Sequence, residues 1–221
     1  MVQGKGYKGS HEGMGYMVDH SMKRYCIFIG GVPGVGKSSI SAEIASHFKI
    51  GNVLSGDYLR EFYRAYDNAT NIMGTSVYDA WKKYGEKNRE NILKGFREQS
   101  SIMSPGITRI IKRSSKNGEM VIIETLYFLP SLYSSVLEET IPLYLFVKDG
   151  DIHASKLNER TKYTHFRSPG ERLSSHLNEY RIMMEESISE CKDHGIRIID
   201  TTDYNYAVND SLRYIGDFLE L

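Results

Sequence analysis

The run Gly31-Val32-Pro33-Gly34-Val35-Gly36-Lys37-Ser38 follows the apolar pentamer Tyr25-Cys26-Ile27-Phe28-Ile29, and Ile40, Ile44 and Phe48 come after it at helical spacing. A strand feeding a glycine-rich turn that opens a helix is the phosphate-binding loop arrangement, and few folds accommodate it. Each residue type answers a physical need. Glycines let backbone N–H groups wrap an anion, Lys37 reaches the outer phosphates, Ser38 offers a hydroxyl to Mg²⁺, and the helix N-terminus aims partial positive charge at the same place. The nucleotide-binding set is therefore Gly31, Val32, Pro33, Gly34, Val35, Gly36, Lys37, Ser38 and Ser39.

The rest of the chain fits that nucleus. Five short apolar runs, Tyr25–Ile29, Asn52–Ser55, Met120–Glu124, Pro142–Val147 and Ile196–Asp200, alternate with longer stretches of helical periodicity. This pattern predicts an α/β fold with a five-stranded parallel sheet and helices on both faces. Residues 58–118 read as a helical insertion on the substrate side, carried by Leu59, Phe62, Tyr63 and Tyr66 and later by Ile92, Leu93 and Phe96. Pro105-Gly106 predicts a break or kink before Ile107, Ile110 and Ile111 resume the period, and Gly118 ends the segment. Leu173, Leu177, Tyr180, Met184, Ile188 and Cys191 predict one long helix closed by Gly195. Ahead of it, residues 160–170 hold Lys162, His165, Arg167 and Pro169 without apolar periodicity, which predicts a basic lid loop able to close over phosphates. Residues 1–21 contain five glycines and no apolar period, and read as a flexible tail or leader beside a single domain over 22–221.

Composition narrows the function classes. A chain of 221 residues with 40% hydrophobic content suits one core, and 28 acidic against 28 basic residues leave no field to gather nucleic acid or an anionic membrane. No apolar run approaches the ~20 residues of a membrane span. Cys26 and Cys191 both stand in apolar patterns and suggest neither a disulfide nor a metal framework. The expectation is a soluble, cytoplasmic protein whose partner is a small anionic molecule.

Asp57 follows the second strand and opens the next helix, at the sheet edge that faces the ligand crevice. Two readings stand: a helix cap, or a carboxylate that orients or deprotonates an attacking hydroxyl and meets Mg²⁺ through water. Arg60 and Arg64 extend the same helix with positive charge, for an anion or for pairing with neighbouring carboxylates. Glu124 ends the third strand, where a carboxylate reaches substrate, Mg²⁺ or solvent. Arg160, Arg167 and Arg172, with Arg181 a weaker candidate, supply charge from the closing loop or stand as solvated surface. Asp200-Thr201-Thr202-Asp203-Tyr204 leaves the last strand either towards a nucleotide base or as a capped loop.

Several of these segments together carry a resemblance. Gly30 to Ser38, Ser55-Gly56-Asp57-Tyr58-Leu59-Arg60-Glu61, Gly95-Phe96-Arg97-Glu98-Gln99, Val121-Ile122-Ile123-Glu124 and His194 to Asp200 occur in the order and spacing of the archaeal 2-phosphoglycerate kinase family, which the chain resembles over most of residues 24–215. The resemblance implies a P-loop NTPase fold of the nucleoside-kinase kind, ATP and Mg²⁺ as cofactors, and phosphorylation of 2-phosphoglycerate to 2,3-bisphosphoglycerate. It implies Lys37, Asp57 and Arg160 as catalytic residues, Ser38 and Asp57 towards the metal, and Asp57, Arg60, Gln99, Glu124, Arg167 and Arg172 towards the substrate. Two departures fall on the substrate side: Glu124-Thr125-Leu126-Tyr127-Phe128, where the family carries a small residue and a nearby His, and Pro105 inside a helix the family leaves unbroken. A kinase of another metabolite, nucleoside or sugar nucleotide of the zeta-toxin-like kind is the alternative, as is a regulatory ATPase with no acceptor.

Overall fold

Strand β1 (Cys26–Gly30) is buried along its whole length, with Cys26, Ile27, Phe28 and Ile29 at 0% exposure, so its residues are apolar without alternation. Around it, in the computed structural model of the chain, β2 (Asn52–Ser55), β3 (Val121–Thr125), β4 (Thr140–Phe146) and β5 (Arg197–Asp200) complete one five-stranded sheet in the order β2-β3-β1-β4-β5. All pairings are parallel. The residues described are 25–66, 72–163 and 170–219. Each strand lies within two residues of its sequence-based expectation; β1, β3 and β4 are covered on both faces and leave apolar runs that need no long-range information to read, while β2 and β5 are the more exposed edges.

Helix α1 (Lys37–His47) leaves the phosphate-binding loop and packs with α7 (Tyr204–Leu219), while α3 (Arg89–Asn117) packs with α6 (Leu177–Asp193), and these pairs flank the sheet. Helix α2 (Gly56–Tyr66) follows β2, α4 (Gly150–Tyr163) follows β4, and α5 (Gly170–Ser174) leads to α6. Between β2 and β3 the chain forms α2, two 3₁₀ segments at Ile72–Gly74 and Val77–Tyr84, and α3. Among the described residues no helix is long and apolar enough to cross a membrane.

Three expectations are corrected. The break at Pro105 is absent, and α3 runs unbroken for 29 residues with the proline inside it. Proline has no N–H for the carbonyl one turn back, and the Ser104 hydroxyl donates to that Ser101 carbonyl at 3.2 Å. The single helix over 173–191 is two, α5 and α6, joined at His176, whose N–H bonds three residues back to Leu173 at 3.1 Å. The tightened turn keeps the apolar stripe in phase, so the period does not reveal it. The basic loop begins later than residue 160, because α4 continues to Tyr163. Its remainder at 164–169, which includes Arg167, lies outside the described residues, as do the side chain of Arg160 and the whole of residues 1–24.

Candidate active site

The turn after β1 is held from three sides. Gly34 and Gly36 both sit at φ 85°, a left-handed conformation that side chains resist, and a Cβ on Gly34 would come within 2.7 Å of Leu157. His153 of α4 is fully buried, and burial holds its imidazole below the ordinary value, so the neutral ring donates its Nε2 proton to the Pro33 carbonyl at 2.8 Å. The Thr201 hydroxyl, at the exit of β5, donates to the Val35 carbonyl at 2.9 Å. Lys37 Nζ donates to the Val32 carbonyl at 3.1 Å, folded back on its own loop. The exit of β5 thus supports the loop directly, and Lys156 reinforces it by donating to the Thr201 carbonyl.

Ser38 and Glu124 meet at the mouth of this turn. The Ser38 hydroxyl donates to Glu124 Oε1 at 2.8 Å, while Glu124 is only 6% exposed and its Oε2 is buried with no hydrogen-bond partner among the described residues. A hydroxyl beside a carboxylate is an all-oxygen donor set that fits Mg²⁺, and a cation or one of its waters would give the orphaned Oε2 a partner. Of the two carboxylates expected at this edge, Glu124 is the one in contact with Ser38, and Asp57 lines the same cleft. Among the described residues no group of three or more His, Cys, Asp or Glu is arranged to hold a cation, which suits an ion that takes most of its ligands from phosphate and water.

Pairing of Ser55 with Glu124 across β2 and β3 brings the start of α2 to the same edge. Asp57 lies in the first turn of α2, and its N–H donates to Ser55 Oγ at 3.3 Å, so the serine supplies the cap. A cleft of about 550 Å³ joins Ser38 and Glu124 to Asp57, Arg60 and Arg172. Its far wall is apolar and aromatic: Val77, Tyr78, Leu126, Tyr127, Leu173 and Tyr180.

Two expected substrate residues support this wall. Gln99 is fully buried and does not line the cleft; its amide donates to the carbonyls of Ile72 and Thr75 at 2.8 and 2.9 Å and accepts from Tyr127 Oη at 3.1 Å. Burial pushes the Tyr127 phenol well above its ordinary value, which makes it a donor and not a base. Arg60 lines the cleft, yet its Nη2 donates to Met73 and Thr75 carbonyls at 2.7 and 2.8 Å and its Nη1 to Glu61 at 3.1 Å. Only its Nε is buried without a partner. Arg64 pairs with Glu61, and Arg181 donates to the carbonyls of Val147 and Lys148; neither lines the cleft.

One cluster had no signal in the sequence. Tyr78 stacks on His176 with ring centroids 3.9 Å apart and planes at 15°. His176 Nδ1 lies 3.1 Å from Glu179 Oε1, and Lys87 Nζ approaches the same oxygen at 2.5 Å. Burial pushes the Glu179 carboxyl upward, but the hydrogen bonds from Lys87 and His176 outweigh it and hold the group below its ordinary value. A buried acid on an otherwise regular helix was the only available clue, and periodicity reads it as a surface residue.

No family model matches the chain. It is 46% identical over 198 residues to the mevalonate-3-phosphate 5-kinase of Thermoplasma acidophilum, covering 89% of this chain and 96% of that protein. It is 27% identical over 199 residues to the 2-phosphoglycerate kinase of Methanopyrus kandleri, covering 87% of this chain but only 61% of that protein. A shikimate kinase from Acinetobacter baumannii, in complex with shikimate, shares the fold at a TM-score of 0.53 and 14% identity over 90% of this chain and 94% of that one. The resemblance to 2-phosphoglycerate kinases therefore stands at the level of a P-loop kinase, and the identity to the mevalonate-3-phosphate 5-kinase is higher. With the phosphate loop, its Ser38–Glu124 pair and an acceptor cleft in one edge of the sheet, the chain belongs to the kinase family of the mevalonate-3-phosphate 5-kinase, phosphotransferases with a hydroxyl acceptor.

Proposed function

We propose that the protein transfers the γ-phosphoryl group of ATP to the C5 hydroxyl of mevalonate 3-phosphate. The observation that carries this reading is that Val77, Tyr78, Leu126, Leu173 and Tyr180 line the same cleft as Asp57 and give it an apolar and aromatic surface. Mevalonate 3-phosphate has a branched carbon skeleton with a methyl group to bury there, whereas 2-phosphoglycerate, the acceptor expected from the sequence resemblance, has no methyl group. Identity of 46% over nearly the whole length of the mevalonate-3-phosphate 5-kinase supports the same acceptor.

In the transfer, the loop amides and Lys37 bind the phosphates, Lys37 exchanging the Val32 carbonyl for the β- and γ-phosphate oxygens. Mg²⁺, when held by Ser38 with Glu124 beside it, neutralises charge on the phosphates. Asp57 aligns the acceptor hydroxyl and takes its proton as the oxygen attacks the γ-phosphorus, and the bond to the bridging oxygen of ADP breaks. Arg172 and Arg60 line the cleft and supply positive charge for the acceptor's carboxylate and phosphate. Positioning of the two reactants provides most of the acceleration.

The test is ADP release from ATP and Mg²⁺ with mevalonate 3-phosphate, mevalonate, 2-phosphoglycerate or no acceptor. Stimulation by mevalonate 3-phosphate, with bisphosphate product identified by mass, is the expected result. Stimulation by 2-phosphoglycerate alone replaces the acceptor, and hydrolysis that no acceptor stimulates replaces the kinase reading with that of a regulatory ATPase.

A further inference from the structure

We infer that Tyr78 is a specificity-determining residue that packs on the alkyl face of the acceptor, and that His176 is the positioning residue that fixes its ring. The inference rests on the acceptor reading above.

Tyr78 belongs to a 3₁₀ segment, Val77–Tyr84, whose backbone geometry holds side chains less firmly than an α-helix does. Its ring is nevertheless fixed on two sides. His176 stacks against one face at 3.9 Å, and Tyr180 meets it edge-on at 6.0 Å and 87°. His176 is fixed in turn by Glu179 at 3.1 Å, and Glu179 is anchored by Lys87, which follows Tyr78 in the chain before α3 begins. The segment carrying Tyr78 is thus attached to the start of α6 twice, by a ring stack and by an ion pair.

This construction is an expensive way to build a wall. Glu179 is 1% exposed and its Oε2 has no hydrogen-bond partner among the described residues, so the cluster carries a desolvation cost that leucines or phenylalanines would avoid. What a directional ion pair adds over apolar packing is a single orientation for the ring behind which it stands. Tyr78 and Tyr180 both line the cleft that Val77, Leu173 and Asp57 also line, so the fixed ring forms part of the surface that meets the acceptor. A planar face at a set angle distinguishes a skeleton bearing a methyl group from one bearing hydrogen by filling or leaving a void, a difference of roughly 10- to 200-fold in kcat/KM.

The experiment compares mevalonate 3-phosphate with its analogue lacking the 3-methyl group, for the wild type and for Tyr78→Phe, Tyr78→Ala, His176→Phe and His176→Ala. The wild type should favour the methylated acceptor by at least about tenfold in kcat/KM. Tyr78→Ala should lose that preference through a raised acceptor KM, with the KM for ATP unchanged, and Tyr78→Phe should keep it. His176→Ala should lose most of the preference, and His176→Phe, which restores a stacking ring without the link to Glu179, should recover part. If Tyr78→Ala does not fold, His176→Ala carries the test, because it leaves the wall residue in place. Folded variants that keep the wild-type preference, or that raise the KM for ATP as much as that for the acceptor, overturn the inference alone. A wild type that does not phosphorylate mevalonate 3-phosphate overturns the acceptor assignment and this inference with it.

Discussion

In the proposed mechanism Asp57 serves the acceptor hydroxyl and Lys37 the phosphates, so their removal should separate chemistry from binding. Asp57→Ala should lower kcat by roughly 10²- to 10⁴-fold and leave ATP affinity near that of the wild type, as read by fluorescent nucleotide titration. Lys37→Ala should weaken both; an Asp57→Ala enzyme with wild-type kcat would remove the carboxylate from the mechanism. Glu124→Gln keeps an acceptor for the Ser38 hydroxyl while deleting the charge, and should raise the Mg²⁺ concentration for half-maximal rate about tenfold or more. An unchanged Mg²⁺ titration would assign Glu124 to structure only. At this scale the phosphate loop was readable because its function is carried by consecutive residues. Gln99 lies outside the cleft wall, and nothing local distinguishes an amide bound to partners at positions 72, 75 and 127 from one that faces a substrate. The partial misreading of Arg60 has the same cause, since the carbonyls of Met73 and Thr75 that occupy its Nη2 are remote in sequence.

Among the elements, α3 shows how one side chain offsets a rule of helix chemistry. The Ser101 carbonyl, deprived of its N–H by Pro105, is satisfied by Ser104. Ser104→Ala should therefore destabilise the fold by about 1 kcal/mol in urea titration, and Pro105→Ala in that background should restore most of the loss by returning the missing N–H. A Ser104→Ala variant as stable as the wild type would mean the carbonyl is served in some other way. The proline suggested a break or kink because the propensity rule has no knowledge of the preceding serine, whereas β1 and β3 were legible because burial on both faces writes itself into a continuous apolar run. The junction of α5 and α6 was illegible for a further reason: the tightened turn at His176 preserves the spacing by which helices are recognised.

For the whole molecule, acid should act in two stages. His153 is held below its ordinary value of 6.5, so between that value and its lower folded one the unfolded chain binds a proton that the folded chain refuses, and stability falls as pH drops through this window. Burial opposes ionisation of Asp210 and Glu179, but Arg197 and Arg213 on the first and Lys87 and His176 on the second hold both below ordinary carboxylate values. Their contribution is present at neutral pH and is lost only at more acidic pH, as each is protonated. Melting temperature should thus decline from about pH 6.5, with a steeper loss below about pH 4, and His153→Gln should remove the first decline while keeping the second. Parallel curves for the two proteins above pH 5 would exclude His153 as its source.

The order β2-β3-β1-β4-β5 puts every neighbour of the central strand far away along the chain: Cys26 pairs with Val121 on one side and Thr140 on the other. During synthesis, the complete phosphate loop leaves the ribosome long before β3 brings Glu124 to Ser38, and longer before Thr201 arrives to hold the Val35 carbonyl across 166 positions. Chain closure over such separations comes late in folding. A nascent chain stalled before β3 would carry the phosphate loop between β1 and α1 but lack the three side chains that brace it or meet its serine, Glu124, His153 and Thr201.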